Sequence, residues 1–409
     1  MRDGRRVAAA VRSITVSKRF DRRSSLCGTA RRAVKRPGPV ASVSGPGPAR
    51  GAGRDEGRQV ARGDRTTLAD VAADAGVSVS TASLAFSGAG PVAPKTREKV
   101  LASAARLGYR GPDPVARSLR RGETGVIAVV VGDRLQRSFS DPVSTQTLDG
   151  IAQELGERGL GLLLVPSDTF GDVPPLLRHG AMDAAIIAGL SAPGDPALRA
   201  LRERGVPVVC IEATRRDAST VEIQDRAGTA ELTGELVALG HTRIAVITLP
   251  FGPQRHRRFF DPAGDVRPAY TPTRNRWAGV RDAGVLPVLA VEPATSLVDE
   301  GVACGRMLLD RPDRPTAVVA ASDLLAAGVL LAARDLGLRV PEDVSVAGFD
   351  GVDLPWLAPD VLTSVTQPLT EKGRTAARAA AALAAGEKPR HHLLPVTLRP
   401  GTTTGSASR

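Results

Sequence analysis

Short aliphatic runs alternate with helical segments over most of the chain beyond Gly125. Runs such as VIAVVV (126–131), AAII (184–187) and TAVVAAS (316–322) are almost continuous in apolar residues. Strands of this kind are buried on both faces, as happens in parallel sheets that are covered by helices. The alternation therefore predicts an α/β body built on parallel sheets.

This body is expected to have two lobes. A first series of strands and helices runs to RIAVITL (243–249), strands and helices resume at VLPVLAVE (285–292), and two units of similar size are implied. The pattern predicts that the chain crosses between the lobes near residue 249, near 290 and again after 360. It also predicts one last strand near 393–399. A chain of 409 residues is long enough for this body and a further domain.

A different periodicity precedes the body. Apolar residues recur at helical spacing up to Gly76 and resume at Val79, which predicts two helices joined by a tight turn. Thr67 followed by Asp70 is a start signal for the first helix, and Ser78 is suited to cap the second. The pattern is typical of a helix-turn-helix, whose second helix enters the major groove of DNA.

Positive charge is concentrated in the N-terminal third of the chain. Residues 1–64 contain 16 Lys and Arg against five Asp and Glu, and residues 65–122 contain nine against four. The remainder has a slight excess of acidic residues, although the whole chain carries a net charge of +12. This distribution favours a polyanionic partner for the N-terminal part.

Residues 1–63 are rich in Arg, Gly, Pro and Ser and show no sustained periodicity. Such a segment cannot bury a core, so we expect it to be disordered. Two explanations remain open. It is a basic arm that adds non-specific affinity for DNA, or the start of translation is misassigned and the protein begins near Val60.

Three stretches together resemble the lac repressor (LacI) family of bacterial transcription factors: LADVAADAGVSVSTAS, KTREKVLASAARLGY and PVARSLRRG. The resemblance implies a three-helix DNA-binding domain (64–110), a linker with a hinge helix (111–123) and a body like the periplasmic sugar-binding proteins (124–409). It implies a regulator, a repressor, that binds a near-palindromic operator in double-stranded DNA as a homodimer or higher oligomer. A small-molecule effector, a sugar, would control it from the cleft between the lobes.

The resemblance also implies a set of DNA contacts. Base contacts, phosphate contacts and supporting positions fall on Thr67, Leu68, Val79, Ser80, Thr81, Ser83, Leu84, Thr96, Tyr109, Ala116 and Leu119. Leu119 in the hinge helix would act as an apolar wedge in the minor groove, where unstacking is offset by bending the duplex onto the protein. Leu84 stands where many family members have an Arg that reads guanine, so it implies an apolar contact such as a thymine methyl.

Polar residues follow several of the predicted strands, where ligands of open α/β sheets bind. The resemblance assigns effector contacts to Arg276, Asp323 and Asp350, and strand ends add Phe139, Asp141, Glu212 and Asp225 on the first lobe. Carboxylates and a guanidinium suit a hydroxyl-rich ligand. Each acidic residue could instead cap a helix, and Arg276 could form a structural salt bridge. The Pro-rich loop 250–275 is expected between strands and could close over the cleft.

Two other function classes fit less well. An extracellular sugar-binding protein would explain the body but not the helix-turn-helix, and the N-terminus lacks an apolar signal segment. An enzyme of the Rossmann type would need a G-x-G-x-x-G after a strand, and none is present. The three cysteines have no metal or redox spacing, and no apolar run approaches 18 residues. We expect a cytoplasmic protein without metal, cofactor or membrane contact.

Overall fold

The computed structural model describes residues 66–88, 90–111, 122–132, 135–167, 171–189, 191, 193–213, 215 and 217–408. The predicted basic extension (1–63) and the hinge-helix residues Ala116 and Leu119 lie outside the described residues.

The N-terminal domain contains three short helices: α1 (Leu68–Asp74), α2 (Val79–Ser87) and α3 (Pro94–Arg106). The predicted start signal of α1 is confirmed as a capping box. The Thr67 amide donates to the Asp70 carboxylate at 2.7 Å, and the Asp70 amide donates back to the Thr67 hydroxyl. Ser78 caps α2, and Gly76 turns the chain between the helices at φ +62°, which favours glycine. A small core of alanines and valines joins the helices.

The first lobe, called here the N-lobe, is built on a parallel sheet of six strands. Their order across the sheet is β12 (His391–Leu394), β5 (Ser219–Ile223), β4 (Val208–Ile211), β3 (Ala184–Ile187), β1 (Val126–Val131) and β2 (Gly161–Pro166). The helices of this lobe are α4 (Leu135–Ser140), α5 (Pro142–Glu157), α6 (Pro175–His179), α7 (Pro196–Glu203) and α12 (Leu369–Ala384). Two apolar clusters, one on each face, cover the sheet.

The second lobe, the C-lobe, has a sheet of seven strands. Across the sheet they run β13 (Thr397–Arg399), β11 (Thr363–Thr366), β10 (Ser345–Asp350), β9 (Ala317–Ala320), β6 (Ile244–Ile247), β8 (Leu289–Glu292) and β7 (Arg258–Phe259). The two edge strands pair antiparallel and the inner strands parallel. Its helices are α8 (Asp225–Ala238), α9 (Thr271–Asp282), α10 (Val298–Leu309), α11 (Asp323–Asp335) and a 3-10 turn (Pro355–Leu357).

The crossings between the lobes differ from the prediction. The chain passes from β5 to α8 near residue 224, from β11 to α12 near 367, and from β12 to β13 near 395. The crossing after 360 is confirmed, and those placed near 249 and 290 are wrong. The strands β5 (STVEI) and β11 (TSVT) are rich in Ser and Thr, so they form no aliphatic run that the sequence pattern could detect.

The predicted last strand (393–399) is two strands in two different sheets. The first, β12, pairs parallel with β5 in the N-lobe, and β13 pairs antiparallel with β11 in the C-lobe. Pro395 stands between them and has no amide hydrogen for a ladder, which is consistent with the break.

The loop 250–275 is more ordered than predicted. It contains β7 and is held to the lobe by charge and by aromatic packing. Arg257 donates two hydrogen bonds of 2.8 Å to Glu300, and Arg258 donates to Glu292 at 2.7 Å. Phe260 packs edge-on against Trp277, with ring centroids 5.3 Å apart. The loop is therefore a fixed part of the C-lobe rather than a structureless cover.

Helices α5 and α12 meet at a pair of glycines. A Cβ on Gly150 would lie 2.0 Å from the carbonyl oxygen of Thr370, and one on Gly373 would lie 2.1 Å from that of Thr147. Both distances are far below van der Waals contact, and both neighbours are backbone atoms. The two backbones touch, so α12 is fixed to the N-lobe although it follows the C-lobe strands in sequence.

Replacing Gly150 with Ala should separate the two helices and destabilise the protein by about 1–3 kcal/mol, as overpacking of a close contact usually does. The matched control is Gly156→Ala on the same helix, where an added Cβ meets no atom within 4 Å. The control should be neutral or slightly stabilising, because Ala is the better helix former. Urea unfolding of both variants would measure the difference, and equal midpoints would contradict the backbone contact.

Candidate DNA-binding surface and ligand cleft

One face of α2 is exposed and carries both apolar and hydroxyl side chains. Val79 and Leu84 are 50% and 37% exposed, whereas Ala82 and Ala85 on the opposite face are buried. The Ser78 hydroxyl lies 2.7 Å from that of Ser80 and 2.8 Å from that of Thr81. The helix thus presents two apolar side chains beside a chain of hydroxyls, of the size that base edges and phosphates accept.

The other predicted DNA-contact residues surround this face or support it. Thr67 is engaged in the capping box, and the half-buried positions are Leu68, Thr81, Ser83, Thr96 and Tyr109. The Tyr109 ring packs edge-on against Phe86, with centroids 5.5 Å apart. It therefore fixes the end of α3 against α2.

A cleft of about 270 Å³ opens at the carboxyl ends of the strands of both lobes. Four of the predicted effector residues line it: Asp141, Glu212, Arg276 and Asp350. The loop 250–275 contributes Arg255 and Tyr270, and the segment before α10 contributes Thr295 and Ser296. The cleft therefore combines these polar groups with aliphatic wall residues such as Ile187, Ile211 and Leu249.

A continuous series of charged contacts, the polar ladder, crosses the floor of the cleft. It consists of Asp225, Arg276, Asp350, Gln367, Lys372 and Glu212. The Nε atom of Arg276 donates to Asp225 at 2.8 Å, and its Nη1 atom donates to Asp350 at 3.2 Å and to the carbonyl of Ala321 at 2.6 Å. Gln367 donates to Asp350 at 2.8 Å, and Lys372 donates to Gln367 at 2.6 Å and to Glu212.

Two carboxylates of the ladder stand on unusual backbone. The φ angles are +53° at Glu212 and +124° at Asp350, both in the region that side chains other than glycine rarely adopt. Strained positions of this kind cluster at binding sites, because the surrounding structure must hold them in place. Both residues end a strand, β4 in one lobe and β10 in the other, so the strain aims one carboxylate from each lobe at the cleft.

Three of the predicted residues do not line the cleft. Asp323 is fully buried behind it, where its carboxylate accepts from the Ser364 hydroxyl at 2.6 Å and the Val352 amide at 2.9 Å. Asp225 is buried below the floor as the partner of Arg276. Phe139 is 60% exposed on α4, outside the lining. The expectation that ligands bind at the carboxyl ends of strands identifies the edge of the sheet, but it does not say whether a side chain at that edge reaches the cleft or is buried behind it.

The structural role weighed for Arg276 is also present. Its guanidinium is 4% exposed, lies between Asp225 and Asp350, and is stacked 3.7 Å over the ring of Phe349. The sequence reasoning missed Gln367 and Lys372, which lie at the crossing into α12. A lysine in the first turn of the Ala-rich helix (LTEKGRTAARAAAALA) was the signal available there, but it does not reveal which way the side chain faces.

Burial is the largest single influence on the pKa values of the ladder's carboxyl groups. It raises the pKa of Asp225 and of Asp350 to about 6, although Arg276 opposes the shift in both. Burial, with the charge of Asp350 added, raises the pKa of Asp323 to about 8. Burial acts the same way on Glu212, but Lys372 and Arg276 outweigh it and hold that pKa below its ordinary value.

Other types of site are not seen in the described ranges. No three His, Cys, Asp or Glu side chains among the described residues are grouped so as to hold a metal ion. None of the described helices combines the length and the apolar character needed to span a bilayer.

Comparison with known proteins agrees with both the helical domain and the body. Residues 67–111 match the bacterial regulatory proteins of the lacI family. Residues 124–257 match the periplasmic binding proteins and sugar-binding domain of the LacI family, and residues 233–404 match a periplasmic binding protein-like domain. An HTH-type transcriptional regulator of Mycobacterium tuberculosis is 35% identical over 323 residues, which cover 76% of this chain and 89% of that protein. This chain belongs to the LacI family.

Solved structures of LacI-family members share the architecture. The transcriptional regulator CelR in complex with cellobiose is 30% identical, with a TM-score of 0.60 over 83% of this chain and all of that chain. The lac repressor dimer bound to operator and the anti-inducer ONPF is 26% identical, with a TM-score of 0.68 over 83% of this chain and 99% of that chain. The protein is thus a DNA-binding transcriptional regulator and not an enzyme.

The buried carboxyls of this LacI-family body predict that stability falls as pH rises. Asp323 ionises near pH 4 when unfolded but near pH 8 when folded, so the folded state binds more protons between these values. Between about pH 5 and 7 the slope from this group approaches about 1.4 kcal/mol per pH unit, and it falls to about half of that at pH 8. Asp323→Asn should flatten the pH dependence of the urea midpoint. Asp353→Asn, at a 97% exposed side chain, is the control and should keep the wild-type slope.

Proposed function

We propose that this chain is a repressor that binds a near-palindromic operator as a homodimer and is controlled by a small sugar in the cleft between its lobes. The polar ladder carries the proposal, because it places carboxylates from both lobes and a paired guanidinium at one ligand cleft. The CelR complex with cellobiose and the lac repressor dimer on its operator support the ligand class and the assembly. Operator binding would place the protein in the cytoplasm.

Control by the ligand requires that it bind two lobe arrangements with different affinity. The cleft is suited to this, because Glu212 belongs to the N-lobe, whereas Arg276 and Asp350 belong to the C-lobe. A ligand that contacts all three residues would favour one angle between the lobes. The N-lobe sheet begins with β1 directly after the predicted hinge segment (111–123), so a change of lobe angle would reach the DNA-binding domains of a dimer. A coupling of about 1–3 kcal/mol would change operator affinity roughly 5- to 150-fold.

The recognition surface is tested by Leu84→Ala. Loss of an apolar contact to a base edge should weaken specific operator binding about 10-fold, in the range of a single readout contact, and leave non-specific binding unchanged. The matched control is Leu101→Ala, which removes a leucine of similar exposure (42%) from α3. Gel shifts with the DNA upstream of the protein's own gene, with and without non-specific competitor DNA, measure specific and non-specific binding. Equal losses in the two variants would reject α2 as the reading element.

The effector site is tested by a substitution of Arg276 that is milder than truncation to Ala. Arg276→Ala would leave two buried carboxylates without a cation, which costs about 3–5 kcal/mol and damages the fold. Arg276→Lys keeps the charge but removes the planar fork that reaches Asp225 and Asp350 together. We expect this variant to bind operator as the wild type does and to need at least about 10-fold more sugar for the same response.

The measurement is a gel-shift titration with a panel of sugars. A Lys variant with the wild-type sugar response would show that Arg276 is structural only. A wild type that responds to a nucleobase or an amino acid but to no sugar would retain the regulatory scheme and overturn the ligand class.

A further inference from the structure

Lys372 is a charged residue of the cleft that the proposed function leaves without a role. It lies on α12 in the N-lobe wall, lines the cleft and is 2% exposed. Its ammonium group donates to Oε1 of Gln367 at 2.6 Å and to Oε1 of Glu212. An ammonium group this deeply buried is costly unless partners accept its hydrogens, so these two contacts fix its position.

The first consequence concerns the amide of Gln367. An ammonium group has three donors and no acceptor, so only the oxygen of the amide can face it. The amide nitrogen is thereby turned toward Asp350 and donates to its Oδ1 atom at 2.8 Å. Arg276 donates to the same oxygen. Among the described residues none donates to Oδ2 of Asp350, which remains an acceptor at the cleft floor.

The second consequence concerns Glu212. Lys372 occupies Oε1, whereas Oε2 receives no hydrogen bond from any described residue, and the side chain is 16% exposed. The positive φ of this residue holds the carboxylate at the cleft. Lys372 therefore leaves one free carboxylate oxygen on each lobe, both oriented by hydrogen bonds to their partner oxygens.

Two helix N-termini of the N-lobe wall offer little to an anion. The N-terminus of α5 is capped by Asp141, which accepts from the Val143 amide at 3.1 Å, and that of α7 by Asp195, which accepts from the Ala197 amide at 2.9 Å. Both carboxylates line the cleft. The positive ends of these helices are already satisfied by carboxylates of the chain, so an added anion would meet negative charge instead.

One further hydroxyl in this wall has no partner. Ser167 follows β2, lines the cleft and is 8% exposed, and its Oγ atom has no hydrogen-bond partner in the described part of the chain. A buried hydroxyl without a partner is costly, and a ligand hydroxyl would satisfy it.

We propose that Lys372 is a specificity-determining residue, which makes the cleft an array of oriented acceptors for the hydroxyls of an uncharged sugar and excludes sugars that carry phosphate or carboxylate. This inference rests on the proposed sugar-binding function and names the class of sugar. Each free carboxylate oxygen accepts a strong hydrogen bond from a ligand hydroxyl. A ligand phosphate beside these two oxygens would face Glu212, Asp350 and Asp141, while Lys372 and Arg276 already pair with carboxylates of the chain. The other cation of the lining, Arg255, is exposed on the loop 250–275 and is not part of the ladder.

The test is calorimetric binding to the full-length protein with matched probes. Neutral probes are cellobiose, glucose and ribose. Their charged counterparts are cellobiose 6-phosphate for cellobiose, glucose 6-phosphate and glucuronate for glucose, and ribose 5-phosphate for ribose. We expect the wild type to bind at least one neutral probe, and its charged counterpart at least 100-fold more weakly. Tighter binding of a charged counterpart would overturn this inference and leave the proposed function standing. Binding of no sugar of either kind would overturn both.

Three variants separate specificity from a structural role. Glu212→Gln leaves the ammonium of Lys372 unpaired in the wall, so the preference for the neutral probe should shrink at least 10-fold. Lys372→Met frees the Gln367 amide. It should weaken binding of the neutral probe without strengthening binding of the charged one. The double variant, Lys372→Met with Glu212→Gln, replaces the ion pair by uncharged groups and keeps the fold measurable if either single variant unfolds.

The control is Glu203→Gln, an exposed glutamate at the end of α7 and outside the cleft lining. It should keep the wild-type ratio of neutral to charged binding. If Glu212→Gln and the double variant, both folded by circular dichroism, also keep that ratio, the pair is structural and the specificity assignment is wrong.

Discussion

The buried guanidinium of Arg276 is the contact on which the arrangement of the body depends. It brings together the first residue after one lobe crossing, Asp225, and the last residue of a central strand, Asp350. A buried charge is tolerated only with such partners, so the helix, the crossing and the strand must meet at one point. Because the same point is the cleft floor, the group that orders the C-lobe also presents its polar surface to a ligand.

The ladder extends this coupling across the lobes. From Asp350 it continues through Gln367, which lies at a second crossing, to Lys372 and Glu212 in the N-lobe. In the proposed function, ligand binding and lobe movement would therefore involve the same hydrogen bonds. A ligand that contacted both free carboxylates would affect the segments that connect the lobes, as regulation by differential affinity would require.

Much of the fold could be predicted from the sequence, because aliphatic strands and helix caps are local signals. The strand 126–131 has the predicted bounds, and Thr67 and Ser78 cap the expected helices. The polar strands β5 and β11 gave no such signal. Because they were missing from the pattern, two of the predicted lobe crossings were wrong. Resemblance and strand ends predicted Asp141, Glu212, Arg276 and Asp350, which line the cleft. Lys372 was not, because its role depends on how α12 packs on the N-lobe.

The close packing of α5 against α12 also orders events during synthesis. The N-lobe sheet lacks its edge strand β12 and the cover provided by α12 until residue 394 has left the ribosome. The DNA-binding domain, by contrast, needs only local contacts within its first helices. A nascent chain thus acquires its DNA-reading element some 280 residues before its two-lobed body can close. One edge of β5 stays unpaired from the synthesis of that strand until β12 follows about 170 residues later.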